Sequence, residues 1–144
     1  MLAELASFLL ESEHPELVEE FFIARTDDKR ALLAGRMKNL GASDRLNEIA
    51  RSLSQDGFLA EAAFESGEPI GLRLCHCPLR DLIAVTHLPC RAEMRLVEAL
   101  LGRPLVRTQF MPDGDTSCTY ALAAAPRRQR KPASAVGRIR PVTT

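Results

Sequence analysis

Aromatic residues are scarce: the chain has no tryptophan and one tyrosine, and Phe, Trp and Tyr together make up only 5% of its 144 positions. That scarcity argues against a platform on which single-stranded nucleic acid would stack. No uninterrupted apolar run approaches the ~18 residues that a membrane span requires. The opening stretch, "MLAELASFLL", carries Glu4 and lacks a positive n-region, so it makes a poor signal peptide and the expected compartment is the cytoplasm. Thiols stay reduced there, which weighs against disulfides. Phosphate-loop, GxSxG and HExxH patterns are absent as well. Asp113-Gly114-Asp115 reads as turn chemistry rather than a catalytic pair. Pairing Cys77 with His76 or His87 as thiol and imidazole rests on sequence proximity alone. The expectation is a protein that is not an enzyme.

Net charge is lacking too, at +0, but the charges are unevenly spread. From Met1 to Asp28 eight acids face one base, Arg25. After Asp115 there is no acid, while Arg127, Arg128, Arg130, Lys131, Arg138 and Arg140 follow. A basic end can attract nucleic acid through counterion release, but this composition more simply describes a solvated, disordered tail over 123–144. With 46% hydrophobic residues, the rest is ample for one compact, soluble domain.

Two periodicities divide that domain. Leu2, Leu5, Leu9 and Leu10 recur at helical spacing. Pro15 suits the first turn of a second helix, whose apolar face runs through Leu17, Val18, Phe21 and Phe22 to Leu32, Leu33 and Met37. It either continues to about Leu40 or breaks near "RTDD". Ser43 is a plausible N-cap for a third helix through Leu46, Ile49 and Leu53, and Asp56-Gly57 marks a turn. The helical segment therefore covers 1–56 and is a candidate dimerisation region.

From Phe58 the period becomes two. Phe58, Ala60, Ala62 and Phe64 alternate, "SGEP" gives a four-residue connection, and Ile70, Leu72 and Leu74 alternate again. Pro78 can open a helix, and Pro89 precedes a second, "RAEMRLVEALLG", stopped by Gly102. "LVRTQF" and "TSCTYAL" flank the turn "MPDGD" as a second hairpin. The fold class expected is α+β: N-terminal helices, then a small antiparallel sheet of two hairpins with two helices between them, over 57–122.

Within that unit, "LCHCPLRDLIAVTHLPC" holds three of the four cysteines and two of the three histidines. The full spacing is Cys75-x-Cys77-x12-Cys90-x27-Cys118. On this reading Cys77 ends a strand, Cys90 starts a helix and Cys118 lies on the last strand. Three elements thus bring thiols towards one place, and the helix N-terminus should favour thiolate. Cysteine is also simply a small buried hydrophobe, a poorer explanation for three in sixteen residues. Cys75 and Cys77 share a strand face, so both can ligate, or one can bind while the other packs. His87, three residues before Cys90, reaches the same site if the chain there is helical.

"GFLAE", "LRLCHCPLRD", "LPCRAEMRLVEALLG", "VRTQF" and "GDTSCTY" resemble the C-terminal sensor domain of SufR-type iron–sulfur transcriptional regulators, winged-helix repressors of cluster-assembly genes. The resemblance runs from about Leu17 to Leu122 and rests mainly on the three-cysteine spacing. It implies that Cys77, Cys90 and Cys118 ligate an iron–sulfur cluster, generally described as [4Fe–4S], whose loss relieves repression. Cys75 or His87 is then the candidate fourth ligand. The family's winged helix finds no counterpart in Met1 to Leu53. The chain thus resembles the sensor half of such a regulator, reaching DNA only through a partner: a second copy or a full-length regulator joined through the N-terminal helices. Leu2, Leu5, Leu9, Phe21 and Phe22 are the interface candidates, with packing inside the domain as the alternative. The competing reading of the cysteines is a structural zinc site of Cys75, Cys77, Cys90 and Cys118 in a protein-interaction module.

Overall fold

The structure is a computed structural model that describes residues 1–124. Except for its first two residues, the basic tail expected over 123–144 lies outside the described residues. The element order is α1 (Leu2–Glu11), α2 (Glu16–Arg36), α3 (Ala42–Gln55), β1 (Ala60–Glu65), β2 (Glu68–Leu74), α4 (Arg80–Ile83), α5 (Leu88–Leu101), β3 (Leu105–Gln109), a single 3-10 turn (Met111–Asp113) and β4 (Cys118–Leu122). The α+β class and the placing of helices before and between two hairpins agree with the sequence. Among the described residues no helix is long and apolar enough to cross a membrane.

Helix α2 runs through "RTDD" without a break. Val18, Phe22, Thr26 and Leu33 keep its buried stripe in register. Thr26 stays helical because its hydroxyl donates to the Phe22 carbonyl at 2.9 Å, satisfying a buried polar group within the helix. The cap of α3 differs from expectation. Gly41, in an extended conformation, precedes the first turn, so Ser43 falls inside the helix. Its hydroxyl instead donates to the Gly67 carbonyl at 3.1 Å, tying α3 to the tip of the first hairpin.

That hairpin turns on two residues rather than four. Ser66 and Gly67 both have positive φ, 50° and 82°, the pattern of a tight primed turn whose twist matches the strands. Glu68 and Pro69 therefore belong to β2. Pro69 lacks an N–H for a ladder, and pairing of β2 with its second neighbour begins only at Gly71. Further along, Pro89 lies in the first turn of α5, where its missing N–H costs nothing, and α4 starts two residues after Pro78. Gly102 ends α5 with φ 66°, as its lack of a Cβ permits.

The two hairpins merge into one antiparallel sheet of order β1-β2-β4-β3. The central β2–β4 ladder pairs Gly71 with Ala121, Leu72 with Tyr120, Arg73 with Thr119 and Leu74 with Cys118. Leu72, Leu74, Cys118 and Tyr120 face the helices. There they join Leu33 and Met37 of the α2 end, Leu46, Ile49 and Leu53 of α3, and Leu96, Val97 and Leu100 of α5. Helices from the 1–56 segment and strands from 57–122 thus share one core. A second, smaller cluster joins Ala6 of α1, Val18 and Phe22 of α2 and Leu82 of α4.

Gly71 marks the closest approach in the ladder, because a Cβ there would press into the Tyr120 carbonyl oxygen. Replacing it by Ala should force β2 and β4 apart, at the ~1–3 kcal/mol typical of overpacking. Urea unfolding of Gly71→Ala should show a lower midpoint with an unchanged slope, whereas Gly35→Ala, with open space around its Cβ, should not lose stability.

Candidate functional site

Pairing of Leu74 with Cys118 sets the site. β2 ends where β4 begins, so the segment leaving β2 passes the first residue of β4. Two backbone bonds steer that segment: Cys75 N–H donates to the Leu59 carbonyl at 3.2 Å and His76 N–H to the Phe58 carbonyl at 3.0 Å. Cys77 therefore lies just beyond the strand rather than at its end. Cys90, the third residue of α5, approaches from the helix side. All four cysteines are free thiols.

Cys77, Cys90 and Cys118 stand together between two spaces. On the inner side they line a narrow apolar cavity with Leu53, Phe58 and Met94. On the outer side the same three line a cleft of about 570 Å³ that also meets Cys75, His76, Arg80 and Asp115. Cys75 thus borders only the outer cleft. His87 lines neither space; it precedes α5, and its ring stands edge-on to Phe110 at 5.3 Å. Of the two candidate fourth ligands, only Cys75 lines a space that the three thiols also line. Among the described residues no group of three or more Cys, His, Asp or Glu side chains is arranged to hold a single metal ion.

The thiols feel one another. Burial pushes Cys90 up to about 11, and the charges of Cys77 and Cys118 push in the same direction, with Arg107 opposing. Burial also raises Cys118; against it act an N–H donated by Met111 at 3.4 Å and the Arg107 charge. The helix N-terminus was expected to favour thiolate, but desolvation outweighs it here. Thiols whose ionisation is opposed in this way, as at Cys90 and Cys118, give up protons on taking a cationic metal or cluster.

One turn along from Cys90, Glu93 is 4% exposed and lines the inner cavity. Its carboxylate accepts from Arg25 at 2.8 Å and from Lys29 at 3.4 Å, both on α2, and Lys29 also pairs with Asp56 at the end of α3. This network docks the cysteine-bearing helix on α2. The sequence gives Glu93 no mark, since its cations lie more than sixty positions away. Arg107 and Phe110 escape notice as well. The guanidinium lies 3.7 Å from the Phe110 ring centroid, and Phe110 borders the outer cleft.

Comparison with known proteins brings no match: no family profile fits the chain, and no curated protein or solved structure is significantly similar to it.

Alkylation of the metal-free protein tests the electrostatics. Because the thiolate is the reactive form, Cys90 labelling by iodoacetamide should rise about tenfold per pH unit and level off only near pH 11. In urea the same residue should level off near the ordinary ~8.5. Site-resolved mass spectrometry separates the two profiles, and a folded-state plateau near the ordinary value would refute the buried, mutually repelling trio.

Proposed function

We propose that this chain is an iron–sulfur-cluster-binding sensor domain of a transcriptional regulator, with Cys77, Cys90 and Cys118 as the cysteine ligands. The observation that carries the reading is that these three thiols, from the exit of β2, the start of α5 and the start of β4, border one cleft. They are also the three whose spacing resembles the SufR-type sensors. The donor set fits the group: soft thiolates suit iron–sulfur clusters, and a cluster takes one thiolate per iron. Such ligands stand further apart than the four that must meet one zinc ion at ~2.3 Å. The alternative is a structural zinc site in a protein-interaction module.

Bound there, the cluster supplies a redox-active centre that oxidants can dismantle. The chain's own part is to hold the thiolates, exclude water on the inner side and pass on whether the site is filled. Three elements tied at one point lose their common tie when the thiols are left empty. Helix α5 reports on that through Glu93 to Arg25 and Lys29 of α2. Helix α2 and its neighbour α1 present Leu2, Leu5, Phe8 and Phe21 to solvent, while Leu9 is half-buried and Phe22 sits in the smaller core. The exposed residues are the surface for a second copy or a full-length regulator in the cytoplasm, which would supply contact with DNA.

Anaerobic purification, or reconstitution with iron and sulfide, tests the reading. The expected product is brown, absorbs broadly in the visible and contains iron and sulfide in equal amounts. Cys77→Ser, Cys90→Ser and Cys118→Ser should each abolish the absorbance, and Cys75→Ser should report whether Cys75 completes the ligand set. A colourless protein with one zinc per chain would establish the alternative, and a protein that takes neither would overturn both.

A further inference from the structure

A groove of about 260 Å³ runs between α2 and α5 and shares no residue with the two spaces that the thiols line. Phe22, Leu88, Ala92 and Leu96 give it an apolar floor. On its α5 side stand Arg91 and Arg95, one turn apart and exposed. Among the described residues neither forms an ion pair, and nor does Arg30 on the α2 side. The acids of α5 are engaged elsewhere: Glu93 is held by Arg25 and Lys29, and Glu98 accepts the Leu105 N–H at 2.8 Å. The α2 side carries Glu19 and Asp27 besides Arg30, so the cationic edge of the groove is that of α5.

Helix α1 is the complement of this groove. Its 10 residues make it ~15 Å long, and the groove, from Glu19 to Arg30 on one wall and from Leu88 to Ala99 on the other, spans ~16 Å. Ala6, Leu9 and Leu10 hold α1 to its own chain, which leaves Leu2, Leu5 and Phe8 exposed. Glu4 lies four residues before Phe8 and Glu11 three after it, so the two acids run along one edge of that exposed face. Glu4 meets only the chain's amino group, at 3.1 Å, and among the described residues Glu11 forms no ion pair. No lysine or arginine precedes Arg25. A helix with an apolar face and acids along one edge suits a groove with an apolar floor and one cationic edge. No residue of α1 lines the groove of its own chain. Yet Phe22, Leu88 and Ala92 belong both to the groove and to the cluster beneath α1, so helix and groove are neighbours. Two copies related by a two-fold axis there lay each α1 in the other's groove and close both contacts at once.

We propose that the α2–α5 groove receives α1 of a second copy of this chain, with Leu2, Leu5 and Phe8 on its apolar floor and Glu4 and Glu11 against Arg91 and Arg95. The proposal rests on the reading of the N-terminal helices as the surface for a second copy, and not on what the thiols bind. It names the receiving surface, and it puts α5, the helix that carries Cys90, in direct contact with the partner.

The test is sedimentation velocity on the full chain, kept reduced, over a concentration series, with far-UV circular dichroism as the check of folding. Two double variants reverse the charges: Glu4→Arg with Glu11→Arg, and Arg91→Glu with Arg95→Glu. Wild type should dimerise, with a dissociation constant several-fold higher in about 500 mM salt than in about 50 mM. Each double variant alone should dimerise about tenfold more weakly or worse, because like charges then face each other. Mixing the two variants restores opposite charges at both contacts, so the mixture should form a heterodimer within about threefold of wild-type affinity. That recovery also shows that neither variant has simply unfolded. A wild-type dimer whose affinity neither reversal changes would overturn the proposal and leave the second copy docked on another face. So would two weakened variants that stay apart when mixed. Wild type that is still monomeric at about 100 μM would remove the second-copy reading and this inference with it, leaving a different regulator chain as the partner.

Discussion

Everything in this molecule that resembles a site depends on the β2–β4 ladder. Each hairpin alone would be a marginal two-stranded ribbon. Side by side they become a four-stranded sheet, and the register chosen, Leu74 against Cys118, places the end of one hairpin at the start of the other. The segment carrying Cys75 and Cys77 leaves the sheet at that junction. A register slip of one residue would turn Cys118 and Tyr120 to the opposite face and leave the outer cleft without its third thiol. Gly71 is what lets the two central strands close up, since the Tyr120 carbonyl occupies the room its Cβ would need. The pocket is thus a consequence of strand pairing first and of cysteine chemistry second.

The second constraint is electrostatic. Cys90 and Cys118, in a partly dry pocket shared with Cys77, resist ionisation, because each thiolate would lose solvent and meet the charge of its neighbours. Fixed charges flank them: Arg107 lies on Phe110 at the sheet edge, and on the helix side Glu93 pairs with Arg25 and Lys29, and Lys29 with Asp56. Glu93 is the more exacting of these. A carboxylate this buried persists only because cations hold both oxygens, and taking away one side of such a pair typically costs several kcal/mol, roughly 3–5. The helix carrying Cys90 is consequently anchored on α2 by charge as well as by packing.

How much of this could be read in the chain follows the range of the forces involved. Helices, strands and hairpins are encoded over a few residues, and Leu46, Ile49 and Leu53, or Leu72 and Leu74, announce their buried faces by spacing alone. The cysteine spacing was equally open to view, since each thiol falls at an element boundary that periodicity locates. Local chemistry misled where a tertiary contact competed: Ser43 looks like a cap but serves the hairpin tip, and "SGEP" looks like one loop although Glu68 and Pro69 pair with β1. The Cys90 thiol went the other way from the expected helix-terminus effect, because burial depends on neighbours that sequence distance conceals. Glu93 was illegible for the same reason, having its cations on another element.

Two routes leave the pocket, and both end at the same place. Through α5, Glu93 engages Arg25 and Lys29 of α2. Through α4, which starts three residues after Cys77, Leu82 packs with Ala6 of α1 and with Val18 and Phe22 of α2. Helices α1 and α2 also carry Leu2, Leu5, Phe8 and Phe21, at 52%, 53%, 69% and 57% exposure, more outward-facing apolar bulk than one short helix pair needs for its own packing. A change at the thiols that shifts α5 relative to the sheet cannot leave α2 where it was, because the charges of Glu93 and its cations would be separated in a buried setting. A change at Cys77 likewise pulls on α4 and so on α1. The cysteine pocket and the apolar helical surface are therefore mechanically one unit, joined by a buried ion pair on one side and a small hydrophobic cluster on the other. On the proposed reading, this coupling is what a sensor would use: filling the site would alter the spacing of three elements, and two of their neighbours would display the difference.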